Sequence, residues 1–116
     1  MTARLASGVA VAALTRRVQS AGGNAAVLAR GDETAGAIML VIASRGETIR
    51  LLSRRLDAAG GYVWGDLALP PPGGDSDRPA VDELVDRARR RDPDLWVLEL
   101  DIADAQRFAD ELIVSG

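Results

Sequence analysis

The sequence predicts an α+β domain, a mainly antiparallel sheet of about five strands with helices packed mostly on one face. Three observations predict it. The segments run in the order helix, four strands, helix, strand, helix. The links between the first strands hold only about 3–6 residues, rich in Gly and Asp, whereas a crossover needs roughly a dozen. One stretch, Ala37–Ser44, carries Ile38, Met39, Leu40, Val41 and Ile42 without interruption, as a central strand covered on both faces does.

Residues 7–21 read as the first helix. Val11, Leu14 and Val18 fall on one stripe at spacings of three and four, Ser7 is placed to cap it, and Gly22-Gly23 ends it in the left-handed geometry that glycine adopts cheaply. The apolar stretch after Arg4 has the look of a short signal peptide. Ser7 and Gly8 interrupt it and no small-residue cleavage site follows, so no secretion is expected. Ala25–Arg30 is a short apolar strand, and Gly31–Thr34 a turn. Glu47–Arg55 alternates, with Ile49 and Leu51 on one face and Arg50, Leu52 and Arg54 on the other. Tyr62-Val63-Trp64 opens the fourth strand, completing a meander.

Residues 70–78, rich in Pro and Gly, form an internal loop within a single domain spanning 1–116, because neither side alone has enough core. Pro79 suits the first turn of a second helix, capped by Asp77 or Arg78, with Val81, Leu84, Val85 and Ala88 as its buried stripe. Acids gather at its start and arginines at its end, which complements the helix dipole. Asp92 before Pro93 stops it. Leu95–Leu100 is the fifth strand, with Trp96, Leu98 and Leu100 facing inward. Asp101 then caps a last helix whose stripe is Ala105, Phe108, Ala109 and Leu112.

Composition narrows the chemistry. All 14 basic residues are arginine, and there is no Lys, His or Cys. Imidazole bases, thiolates, lysine Schiff bases and Cys/His metal sites are therefore unattainable, as are Ser-His-Asp and P-loop chemistry. The net charge of −3 does not suggest a nucleic-acid partner. The longest apolar run elsewhere, Ala37–Ala43, is too short to span a bilayer. No cofactor is expected.

Several local strings match a known pattern: Ala13–Arg17 with Gly22-Gly23, Ala26–Asp32, Ala35–Ile38, and most specifically Arg91-Asp92-Pro93-Asp94-Leu95-Trp96-Val97-Leu98-Glu99-Leu100. On these the chain resembles a family of small bacterial proteins of unknown function, domain-of-unknown-function family fourteen ninety-one. The stretch from about Ser53 to Val81 matches least. The resemblance implies the fold boundaries and a bacterial cytoplasmic setting, and it implies no activity, cofactor or catalytic residue.

Arg16, Arg17, Arg30, Arg90 and Arg91 are the candidate contacts for an anion or a partner, because a guanidinium fork binds phosphate or carboxylate bidentately. The plainer reading is a solvated face, with Glu83–Arg87 and Asp86–Arg90 pairing at i,i+4 along the second helix. Arg30-Gly31-Asp32 spells an adhesion tripeptide but reads as a strand end entering a turn, with Asp32 bonding its own turn backbone. Asp92, Pro93, Asp94 and Trp96 form a structural motif. Two carboxylates there fall short of the six oxygens a hard cation needs, and Asp75 and Asp77 in the loop lack the Gly-x5-Glu that follows in a calcium loop. Glu99 and Asp101 lie on the face opposite Trp96, and acid–base work there would need a second carboxylate.

The function this supports is a non-catalytic protein-interaction module, its partner a protein or a second copy in a homo-oligomer. Exposed strand edges and two tryptophans in an aromatic-poor chain motivate it. The alternatives are an arginine-based domain binding a small anionic metabolite, and a carboxylate-based hydrolase or isomerase with two acids of separated pKa.

Overall fold

The computed structural model describes residues 6–69 and 77–115. Along them run α1 (Ser7–Ser20), β1 (Asn24–Ala29), β2 (Ile38–Ser44), β3 (Glu47–Leu56), β4 (Tyr62–Leu67), α2 (Asp77–Arg91), β5 (Trp96–Asp101) and α3 (Ala105–Ser115). The order is the one expected, and the fold is α+β. Residues 70–76 of the expected loop, Asp75 among them, lie outside the described residues, while Asp77 opens α2. No helix among the described residues is long and apolar enough to cross a membrane.

The five strands form one sheet in the order β1-β5-β2-β3-β4. β2, β3 and β4 make the expected antiparallel meander. β1 does not join it. β5 lies between β1 and β2, antiparallel to the first and parallel to the second. The reason is apolar coverage. β2 and β5 carry large apolar side chains on both faces, with Ile38, Leu40, Val97, Leu98 and Leu100 wholly buried, so both are driven to the middle. β1, made of smaller residues, is left at the edge. Residues 30–37 span the end of β5, two strand spacings or about 10 Å across, and Trp96 N–H donates to the carbonyl of Ala37 at 2.8 Å.

Side-chain alternation then sorts two cores. On one face Ile38, Leu40, Ile42, Leu52, Trp96, Leu98 and Leu100 meet the stripes of α1 and α3, with Phe108 at the centre. On the other, Met39, Val41, Leu51 and Val97 meet Val81 and Val85 of α2. Two of the three helices thus share a face. Each fully buried side chain of this size contributes about 1.5–3 kcal/mol.

Two caps differ from expectation. Ser7 does not cap α1. It lies inside the first turn, 2% exposed, and its hydroxyl donates to the Gly36 carbonyl at 2.7 Å. The orphan N–H groups of Ser7 and Gly8 donate instead to Thr34 and Glu33 carbonyls, so α1 is capped by a loop rather than by its own side chain. Asp101 does not cap α3, which starts four positions later. Its carboxylate accepts the N–H groups of Arg45 and Gly46 (3.4 and 3.1 Å) in the β2–β3 turn. Both turn residues have positive φ, 53° and 82°, as a two-residue type I′ hairpin requires.

Candidate functional site

The motifs scattered along the sequence meet at one corner, where the first turn of α1, residues 30–37, the end of α2 and the start of β5 come together. Trp96 is its centre. The indole Nε1 donates to the Asp32 carbonyl at 2.7 Å, and Asp32 N–H donates to the Asp94 carbonyl at 3.0 Å. The Asp32 carboxylate accepts the N–H groups of Thr34 and Ala35, as expected of its turn. Asp92 accepts the Asp94 N–H at 3.1 Å, so the Asp92-Pro93-Asp94-Trp96 string is a helix stop leading into an inward strand. A Cβ on Gly31 or Gly36 would collide with the Asp94 carbonyl oxygen, and glycine is required at both for close approach.

Arg89, which the sequence reading did not single out, locks this corner. Its Nη1 donates to the carbonyls of Arg30 (2.7 Å) and Leu95 (3.1 Å). The signal was present: Val81, Val85 and Arg89 lie four apart on one helical stripe, which aims Arg89 at the sheet. Among the described residues no buried side-chain polar atom lacks a partner, so the corner is a satisfied structural lock.

The candidate arginines are not brought to one point. Arg17 forms a two-bond fork with Glu111 (3.0 and 2.8 Å) across a groove of about 180 Å³ between α1 and α3, floored by Leu14 and Phe108. The hydrogen bond raises the Arg17 pKa and lowers that of Glu111. Arg30 pairs with Glu33 at 3.1 Å and lies 5.4 Å over the Trp96 ring. Arg16 shares a groove of about 330 Å³ with Arg30, Glu33, Val27 and Trp96 on the α1 side of β1. Arg90 lies on the other side, in a shallow groove with Leu28, Ala29, Asp86 and Pro93. Arg91 is exposed at the end of α2. Arg16, Arg90 and Arg91 make no ion pair among the described residues, and the expected Glu83–Arg87 and Asp86–Arg90 pairs are not formed.

One further expectation changes, and the two acids of β5 are found apart. Neither tryptophan is a surface anchor: Trp96 is 2% exposed, and the half-buried Trp64 donates its Nε1 to the Ala109 carbonyl at 2.8 Å. Glu99 and Asp101 do not act together, because Asp101 holds a turn while Glu99 faces a groove of about 340 Å³ with Asp82, Asp86, Leu28 and Val85. No set of three or more acidic groups among the described residues is placed to hold a metal ion.

What remains open among the described residues is the outer side of β1, which pairs there with β5 alone. Its sequence, Asn-Ala-Ala-Val-Leu-Ala, is uncharged, and Val27 and Leu28 are 40% and 44% exposed. Strand alternation sends Val27 to the α1 side and Leu28 to the α2 side, so the two apolar side chains serve grooves on opposite faces, and the β-bulge between Val27 and Ala29 sets Ala29 opposite Val97 on the α2 side as well.

A family model described as "Protein of unknown function (DUF1491)" matches residues 5–110. The chain is similar to the crystal structure of a DUF1491 family protein from Caulobacter crescentus CB15, with 34% identity and a TM-score of 0.71, over 90% of this chain and 94% of that one. An NMR structure of a DUF1491 family protein from the same organism aligns with 32% identity and a TM-score of 0.72, over 92% and 94% of the two chains. The solution structure of a protein from A. tumefaciens gives 31% identity and a TM-score of 0.68, over 88% and 89%. Among curated proteins none matches this chain.

Proposed function

The chain belongs to the DUF1491 family of proteins of unknown function, and from that premise we propose that it is a non-catalytic interaction domain whose contact surface is the open edge of β1. The observation that carries this is the uncharged edge strand with Val27 and Leu28 exposed on its two faces. An unpaired edge offers a row of main-chain donors and acceptors, and pockets on alternate faces supply selectivity; strand addition uses both. Grooves reach that edge from the α1 side and the α2 side. The cytoplasmic setting expected of the chain, with no disulfide to protect, is part of the same reading.

Amide chemical shifts test it. A binder selected from displayed eight-residue extended peptides, or a second copy of the chain, is expected to move the resonances of Asn24–Ala29. Val27→Lys should remove the effect with the fold intact. Shifts confined to other strands, or no binder and no self-association, would overturn the reading.

A second reading keeps the small anion. Arg16 and Arg30 line one groove, and Arg16 has no carboxylate of its own among the described residues. The arginines at the end of α2 favour it less, since the negative pole of the helix already engages them. Stabilisation by phosphate or a dicarboxylate that disappears in Arg16→Gln would support it, and unchanged melting across such a panel would remove it.

A further inference from the structure

We infer that the occupant of the β1 edge is a second copy of this chain, with β1 pairing antiparallel to its symmetry mate across a two-fold axis and joining two sheets into one. This rests on the interaction reading above and commits it to one partner. Three observations carry it. First, the strand is fit to meet itself. Asn24–Val27, ahead of the bulge, is uncharged, and Ala25 and Ala26 at its middle are small enough for two edges to approach without a clash.

Second, the α2 side of the edge is electrically two-ended. β1 runs antiparallel to β5, with Ala26 opposite Glu99 and Ala29 opposite Val97. Asp82 and Glu99 therefore lie toward one end of the strand and Arg90 toward the other, with Asp86 between them on both grooves. An antiparallel two-fold sets the acidic end of each copy beside the basic end of its mate, twice. A parallel pairing, about an axis along the strand, would put the α2 sides of the two copies on opposite faces of the joined sheet, and these charges would not meet.

Third, these charges are unsatisfied within one chain. Asp82, Glu99 and Arg90 form no ion pair among the described residues, although Asp86 and Arg90 stand at the favourable i,i+4 spacing. Leu28, exposed between the two ends, then gains apolar cover at the joint.

The test is the mass of the full chain by sedimentation equilibrium over micromolar to millimolar concentration. Twice 12.2 kDa is expected. Val27→Lys should return it to the single mass with unchanged circular dichroism. Asp82→Arg and Arg90→Glu should each weaken association roughly tenfold, and both changes in one chain should restore it, because the swapped ends again meet opposite charge. A dimer indifferent to Val27→Lys, or a double exchange that does not recover, would overturn the inference. So would a strict monomer. A monomer that still binds a peptide through Asn24–Ala29 overturns this inference and leaves the interaction reading standing; a monomer that binds none overturns both.

Discussion

β1 and β4 are the two edge strands of one sheet, six residues each, yet the side chains around them are used in opposite ways. β4 carries its own guard. Asp66 holds a two-bond fork from Arg50 (2.9 and 3.2 Å), Arg54 lies 4.1 Å over the ring of Tyr62, and Trp64 is tied to α3. Arg50 also reaches Gln106 of α3 at 2.7 Å, so this edge is fastened to the helix layer. β1 has no charged residue, and its protection among the described residues is one bulge. Charge and side-chain fastening deter pairing, and a plain apolar edge invites it. Two edges of one sheet can thus differ in kind: β4 is fastened by its side chains, and β1 has no such fastening among the described residues.

The largest expected effect falls on the corner that holds the chain after β1. Trp96→Ala removes a buried aromatic and the hydrogen bond to Asp32, and should cost about 3–5 kcal/mol in urea denaturation. A cost under about 1 kcal/mol would mean that β1 is held by strand pairing alone. Gly36→Ala comes next. Its Cβ would meet backbone on Asp94 and Asp32 rather than a movable side chain, so about 1–3 kcal/mol should be lost, with β1 amides losing hydrogen-exchange protection before those of β4. Uniform loss across both edges would break the distinction between them.

Much of this corner and both cores was legible in the sequence. The apolar run of β2, the inward row of Trp96, Leu98 and Leu100, and the stripes of α1 and α3 all lie where their periodicity puts them. These are local signals: a side chain's face follows from its neighbours in the chain. What was illegible is non-local. Nothing near Asn24 or Ile38 says that β5 will separate their strands, because strand order is decided by which segments have apolar surface on both faces to hide. The same limit hid Asp101, whose partners lie more than fifty positions back, and Ser7, which bonds Gly36 rather than its own helix. The grooves on either side of β1 are illegible for the same reason, whereas Arg89 could have been found from its helical stripe.

Trp64→Phe probes the β4 edge directly. Phe keeps one six-membered ring but loses the pyrrole half of the indole and its bond to the Ala109 carbonyl, so a cost of about 1–2 kcal/mol is expected, with no change in mass or in β1 chemical shifts. A change in association would mean that β4, not β1, carries the contact.

The smallest effect is electrostatic, and its sign follows from Asp66. The hydrogen bond from Arg50 holds the Asp66 pKa below its ordinary value of 3.8. A carboxylate with a lowered folded pKa contributes stability at pH values above the ordinary value. That contribution fades as pH falls through 3.8 toward the folded value, because the unfolded chain takes up the proton first. Asp66→Asn should therefore melt slightly below the parent protein at pH 7, and the difference should close under acid. The pair is exposed, so raised salt should shrink the gap as well. β1 offers no counterpart, since none of its residues titrates. Acid should thus lower the hydrogen-exchange protection of β4 amides, relative to their intrinsic rates, more than that of β1 amides, and an equal loss of protection on both edges would show that the Arg50–Asp66 fork is not what fastens β4.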